Sequence, residues 1–279
     1  MNRIWRVRDA SLGGGEFPLL VGIVNATPDS FFDGGRHGTP EAAYAHGMRL
    51  AQEGADLLDV GGESTRPGAT GVDPSLERKR IEPVVAALVA QGVRVCIDTR
   101  HAEVARSALD RGACAINDVS GLADPAMLEL CREYGAGACA MHMRGTPATM
   151  QTDTDSADLE SEVTGFLARI AKRWKEAGLS ADSLALDPGV GFGKTAVQNH
   201  RLVAATARFR QVFPDHPWYL GLSRKSWIAP LATEDSDRLA GSLGGALAAT
   251  QAGCDILRVH DLARTREAIR AFQACRESA

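Results

Sequence analysis

The chain has 279 residues, 44% apolar and 24% charged, with a formal net charge of −4; that is ample for a core without staples and fits one (β/α)8 barrel domain over 1–279. The acidic balance gives no general basic field for nucleic acid, so any anion site has to be built from local basic residues. Six scattered cysteines with no CxxC pair or Cys/His cluster argue against a zinc site or a disulfide framework, and no signal-peptide core or ~18-residue apolar run appears, so the expected location is the cytoplasm, away from membranes.

The first predicted strand, 19–25, is apolar throughout and runs into NATPDSFFDGG, a breaker-rich loop with Phe31 and Phe32 at its centre. A helical pattern at 41–53 leads to a strand at 57–60 and the loop GGESTRPGA. A helix at 75–91, a strand at 93–98 ending in Asp98, and a helix at 102–111 follow. The fourth strand, 115–118, closes on Asn117 and Asp118, and a helix at 124–134 comes next. The fifth, 138–142, ends at His142 before a long helix at 158–177. The sixth, 183–187, opens DPGVGFGK and a helix at 198–211. The seventh, 218–221, runs into GLSRKS ahead of a helix at 236–252, and the eighth, 256–260, ends in RVHD before a helix at 261–275. Glycines 54, 92, 112, 178 and 253 stand where helices should stop.

Strands that are apolar throughout suit a parallel sheet covered on both faces. Eight of them alternating with eight helices predict a (β/α)8 barrel; the alternative, a doubly wound sheet, lacks a GxGxxG after its first strand. In a barrel, chemistry sits where strands end, and here all eight ends are polar. Singly, Asp59, Asp118 and Asp261 read as helix caps. Together the strand ends predict a pocket with two halves. Arg66, Lys225, Arg258 and His260, with Arg224 and the hydroxyls of Ser64, Thr65, Ser223 and Ser226, suit an oxyanion such as phosphate. Asp98, Asp187 and Asn117 suit either the N–H edge of a flat heterocycle or a metal. DPGVGFGK lacks P-loop spacing, and its glycines are expected to lift Phe192 over the pocket.

The motifs NATPDSFFDGG, DLLDVGGESTRPGA, CIDTR, INDVSG, MHMRGTP, LDPGVGFGK, GLSRKS and RVHD, in that order, resemble the dihydropteroate synthase family, the folate-pathway enzymes that sulfonamides inhibit. The resemblance runs from Val21 to Ala271. It implies a homodimeric barrel that uses Mg²⁺ to condense 6-hydroxymethyl-7,8-dihydropterin diphosphate with p-aminobenzoate. Carried over by position, Asp98, Asn117 and Asp187 hold the pterin edge, Lys225 bonds the ring, and Arg258 stacks on it. Asn25 offers its oxygen to Mg²⁺, while Thr65, Arg66, Arg258 and His260 meet the diphosphate. Ser226, near a helix N-terminus, receives the benzoate carboxylate, with Phe31, Pro67 and Phe192 walling the aromatic ring. Met141 and Ser223 complete the substrate-binding set, and Asp98, Asp187, Lys225 and Arg258 are the expected catalytic residues. Phe31 then reads as part of a lid that closes on a flat substrate. Arg100, Gln198 and Trp227 depart from the family pattern. Two rivals are a methyltetrahydrofolate–corrinoid methyltransferase, which needs no diphosphate clamp, and a non-catalytic pterin-binding paralogue, which would be expected to lose the lid or the Lys225/Arg258 pair.

Overall fold

The structure is a computed structural model that describes residues 2–27, 39–66, 68–233 and 237–277. It begins with an antiparallel hairpin, β1 (Ile4–Val7) and β2 (Ala10–Gly13). The strands β3 (Leu19–Asn25), β4 (Leu57–Gly61), β5 (Val95–Asp98), β6 (Ala115–Asp118), β7 (Gly137–Met141), β8 (Leu184–Asp187), β9 (Tyr219–Gly221) and β10 (Ile256–Val259) follow. All pair in parallel, in the order β8-β7-β6-β5-β4-β3-β10-β9. A parallel bridge between Leu186 and Trp218 joins the two ends, with the Leu186 amide donating to Pro217 at 2.9 Å. The sheet is thereby a closed barrel, as the strand count predicts.

The helices are α1 (Pro40–Gln52), α2 (Pro74–Ala90), α3 (Ala102–Asp110), α4 (Pro125–Tyr134), α5 (Leu159–Glu176), α6 (Ala196–Ala204), α7 (Thr206–Val212), α8 (Leu239–Gln251) and α9 (Leu262–Glu277). Local chemistry explains where several begin. Thr39, Asp73 and Asp124 each cap an amide just inside a helix that opens on proline, the position where a missing N–H costs nothing. The expected stops hold too: Gly54, Gly92, Gly112, Gly178 and Gly253 all have positive φ. One helix predicted at 198–211 is in fact two, α6 and α7, meeting at the buried Ala205.

Side chains two residues apart on a strand share a face, so the barrel interior is layered. Val21, Leu57, Cys96, Ala115, Cys139, Ala185, Tyr219 and Ile256 form a lower apolar layer. Two positions further along each strand stand Ile23, Asp59, Asp98, Asn117, Met141, Asp187, Gly221 and Arg258. The register pairs Ile23 with Asp59, Asp98 with Asn117, Met141 with Asp187, and Arg258 with Gly221. The hairpin, which the strand pattern did not predict, closes the lower mouth. Trp5 and Val7, both fully buried, belong to the apolar layer's own cluster. Val7 comes so close to β7 that a Cβ on Gly137 would lie 2.6 Å from it. The barrel is plugged below and polar above.

Candidate active site

The polar layer is wired to itself. Arg258 on β10 donates from Nε to Asp59 at 2.5 Å and from Nη2 to Asp98 at 2.7 Å. The Asn117 amide donates to the same Asp59 oxygen at 2.9 Å. Asp59 is fully buried, and it anchors two site residues instead of capping a helix as the sequence reading expected. Nor does Asp118 cap a helix: it accepts from the amides of Ser120 and Leu122 in the turn before α4, whose cap is Asp124. Asp261 too departs from that reading: it takes both ends of the Arg224 fork, at 2.9 and 2.5 Å. Nor are the acidic and basic halves separate, because Arg258 lies within the acidic one. Burial pushes the Asp98 carboxyl up to about 7 against the pull of Arg258, with Asp59 adding to the rise. For Arg258, burial works against its charge, but Asp59 and Asp98 outweigh it and its pKa is raised.

Asp187 ends β8, buried and accepting from the Gly189 amide of the following loop at 2.7 Å. Burial raises its pKa while Lys225 opposes the shift. Gly189 has φ +74°, and a Cβ there would lie 1.8 Å from the His142 carbonyl, so only glycine fits. Lys194 explains why the loop holds this shape. It is 3% exposed, and its Nζ donates to the carbonyls of His142, Gly189 and Phe192 at 3.2, 2.9 and 2.9 Å. Three acceptors match the three N–H groups of an ammonium. Burial draws its pKa down to about 7, opposed by Asp187. Sequence reading dismissed this lysine together with the P-loop; it serves the loop's interior and makes no phosphate cradle. The loop lifts Phe192 as expected, with Met141 and Met150 packed behind it. Lys225 reaches across, its Nζ 4.5 Å from the Phe192 ring centroid and donating to the Val190 carbonyl at 2.6 Å. Burial lowers Lys225 to about 8, with Asp187 opposing.

A cavity of about 370 Å³ opens above this floor. Of the predicted residues it is lined by Asn25, Thr65, Arg66, Asp98, Phe192, Ser223, Lys225, Ser226, Arg258 and His260. Asn117 and Asp187 lie buried in the floor, and Met141 backs Phe192. Phe31 and Pro67 lie outside the described residues. Ser226 is near a helix N-terminus as expected, the helix being a short 3₁₀ turn, Ser226–Leu231. His260 belongs to the basic wall by position but not by charge. Burial, and after it Arg258, Arg224, Arg66 and Lys225, push its pKa down to about 3. It is a neutral imidazole sharing a hydrogen bond of 3.0 Å with Ser223. The same four cations show how positive this side is in a chain of net negative charge. Met150 and Arg238 line the cavity too; Met150 stands in a turn and Arg238 just before α8, both outside the motifs, so nothing in the sequence signalled them. Trp227 proves to be core, donating to the Leu222 carbonyl at 3.0 Å.

A pocket with these features has known counterparts. The family model described as pterin binding enzyme matches residues 21–260. A relative from Escherichia coli strain K12 named dihydropteroate synthase is 42% identical over 259 residues, 92% of this chain and 91% of its own. The crystal structure of the Yersinia pestis dihydropteroate synthase with a sulfonamide drug superposes with a TM-score of 0.91 at 37% identity, covering 99% of this chain and all of that one. The Burkholderia cenocepacia dihydropteroate synthase complexed with 7,8-dihydropteroate gives 0.87 at 38% identity, over 99% and 98% of the two chains.

Proposed function

The chain belongs to the pterin-binding enzyme family, and from that premise we infer that its barrel mouth carries out the dihydropteroate synthase reaction. 6-Hydroxymethyl-7,8-dihydropterin diphosphate and p-aminobenzoate become 7,8-dihydropteroate and pyrophosphate, a step of folate biosynthesis. The methylene C–O bond to the diphosphate breaks, a C–N bond to the arylamine forms, and the amine gives up one proton. The observation that carries this reading is the charge layout of the cavity. Its floor holds two carboxylates bonded to the Arg258 guanidinium with Asp187 buried beside them, and burial together with the cations of its wall keeps His260 neutral.

Each role below is part of the proposal. Asp98, Asn117 and Asp187 take the N–H edge of the pterin, and Lys225 bonds the ring. Arg258 stacks beneath it; its two carboxylate bonds use Nε and Nη2, leaving Nη1 to face substrate. When Asp98 is ionised, its carboxylate beneath the ring favours the cationic character the methylene gains as the diphosphate departs. Thr65, Arg66 and His260 meet the leaving diphosphate, and Ser223 orients His260. Phe192, held over the cavity by the Lys194 loop, walls the benzoate ring, and Ser226 receives its carboxylate. The arylamine is nucleophilic already, so no activated side-chain nucleophile is needed.

Mg²⁺ belongs to the same proposal. Asn25, at the end of β3 on the cavity wall, presents the hard oxygen that Mg²⁺ takes, and Mg²⁺ keeps most of its waters, so one side chain suffices. When bound there the ion would neutralise charge on the diphosphate. We propose a homodimer as well: Val197 and Leu231, 59% and 68% exposed, stand on adjoining elements. A monomer in sedimentation velocity would refute it. Six free cysteines, five of them buried, support a reducing compartment such as the cytoplasm. Among the described residues no helix is long and apolar enough to cross a membrane.

Incubating the purified protein with both substrates and Mg²⁺ should release pyrophosphate, and leaving out p-aminobenzoate should abolish turnover. A folded protein that binds the pterin yet releases nothing would point to the non-catalytic paralogue.

A further inference from the structure

Beside the cavity, three side chains from separate parts of the chain converge. Glu63 follows β4, Glu77 sits in the first turn of α2, and His101 precedes α3. One ligand atom from each lies within 4.8 Å of the other two. Glu77 is the anomaly. It is 0% exposed, and neither carboxylate oxygen finds a partner at hydrogen-bond geometry, although the Thr99 hydroxyl is near enough to oppose the rise in its pKa. The His101 Nε2 is likewise buried and unpartnered, 3.9 Å from a Glu63 oxygen. A buried carboxylate without a partner is costly, and a protonated one still carries an O–H that needs an acceptor. One cation among the three side chains would satisfy Glu77 and His101 together.

We propose that Glu63, Glu77 and His101 form a divalent-cation site at the edge of the reaction centre, with Glu63 shared between site and cavity lining. Two carboxylates and one imidazole suit a borderline cation, with Zn²⁺ preferred over Mn²⁺ and Mg²⁺ weakest. Glu63 is already aimed. Arg100 grips it with two bonds of 3.0 Å, and the Val72 amide adds a third at 3.0 Å. A carboxylate has lone pairs enough for these donors and a metal, while the Arg100 charge limits affinity. Gly62 lets α2 approach: a Cβ there would stand 3.0 Å from Glu77 Cγ and 2.8 Å from Ile81. The bound ion ties the loop after β4 to the start of α2 and to the β5–α3 junction. That loop continues directly into Thr65 and Arg66, and Glu63 itself lines the cavity with them, so the metal stiffens the diphosphate side from its edge. Glu63, Glu77 and His101 are far apart in sequence, which is why no ligand spacing announces the site.

The site does not depend on the synthase reading. Its test is calorimetric titration of Zn²⁺ into chelator-stripped protein, with Mg²⁺ in excess and no substrates present. The expected result is one site per chain, with saturation raising the melting temperature by about 5 °C. In His101→Gln, affinity should fall at least about tenfold. That side chain makes no capping bond, so the variant is expected to fold, and its metal-free melting temperature verifies this. Glu77→Gln, which is isosteric, should lose the site as well. No stoichiometric binding overturns the proposal. So does equal binding in wild type and His101→Gln, which would place the ion elsewhere, for instance on the exposed Cys275.

Discussion

Asp98 and Lys225 line the same cavity with pKa values displaced towards one another, to about 7 and about 8. Below about 7 the Asp98 carboxyl is protonated and withdraws negative charge from beneath the ring. Above about 8 Lys225 is neutral and donates more weakly. kcat/KM should therefore trace a bell with its maximum between these values, the acid limb belonging to the Asp98–Arg258 pair as a unit. Lys225→Met should lower kcat/KM by ~10² and abolish the alkaline limb. A variant that keeps both the rate and the limb would remove Lys225 from the mechanism. The residues that sequence placed well at this scale are those whose polarity is anomalous for their position, such as Asp98 and Asp187 at the ends of apolar strands. Their bonding was not legible: that Asp59 serves Arg258 rather than a helix depends on a contact across 199 residues.

Among the elements, the loop from Asp187 to Lys194 shows how a lysine can act without meeting substrate. Removing it leaves three inward carbonyls, and Phe192, which wants their geometry, drifts. Lys194→Met should reduce kcat/KM for p-aminobenzoate by about 10–100-fold, mainly through KM, while the pterin KM changes little. Equal losses for both substrates would indicate general unfolding of the site and not a displaced Phe192. Helix ends were readable because the stop signal is local, a terminal glycine with positive φ. The α6–α7 break was not, because Ala205 has no breaker chemistry and the separation is imposed by packing.

For the molecule as a whole, the alternation of strands and helices gave away the barrel, whereas the hairpin stayed hidden. Its strands have four residues each and their outward positions are polar or exposed, so only the lower mouth makes sense of Trp5 and Val7. Trp5→Ala should cost about 3–5 kcal/mol in denaturant unfolding, yet leave KM for both substrates unchanged in protein that is still folded. A change in KM would mean that the plug also positions the polar layer above it. Site residues outside strand ends, such as Met150, were illegible because the cavity gathers them from unpatterned segments.

Because the ring of strands is completed by β10 beside β3, synthesis from the ribosome has a consequence for this protein. Asp59 and Asp98 leave the exit tunnel long before Arg258, and for most of translation they have no counter-ion. A nascent chain can assemble much of its wall early, but the working centre exists only after the final strand arrives. Emergence of β10, rather than any earlier collapse, is the moment at which Asp59 and Asp98 gain their guanidinium.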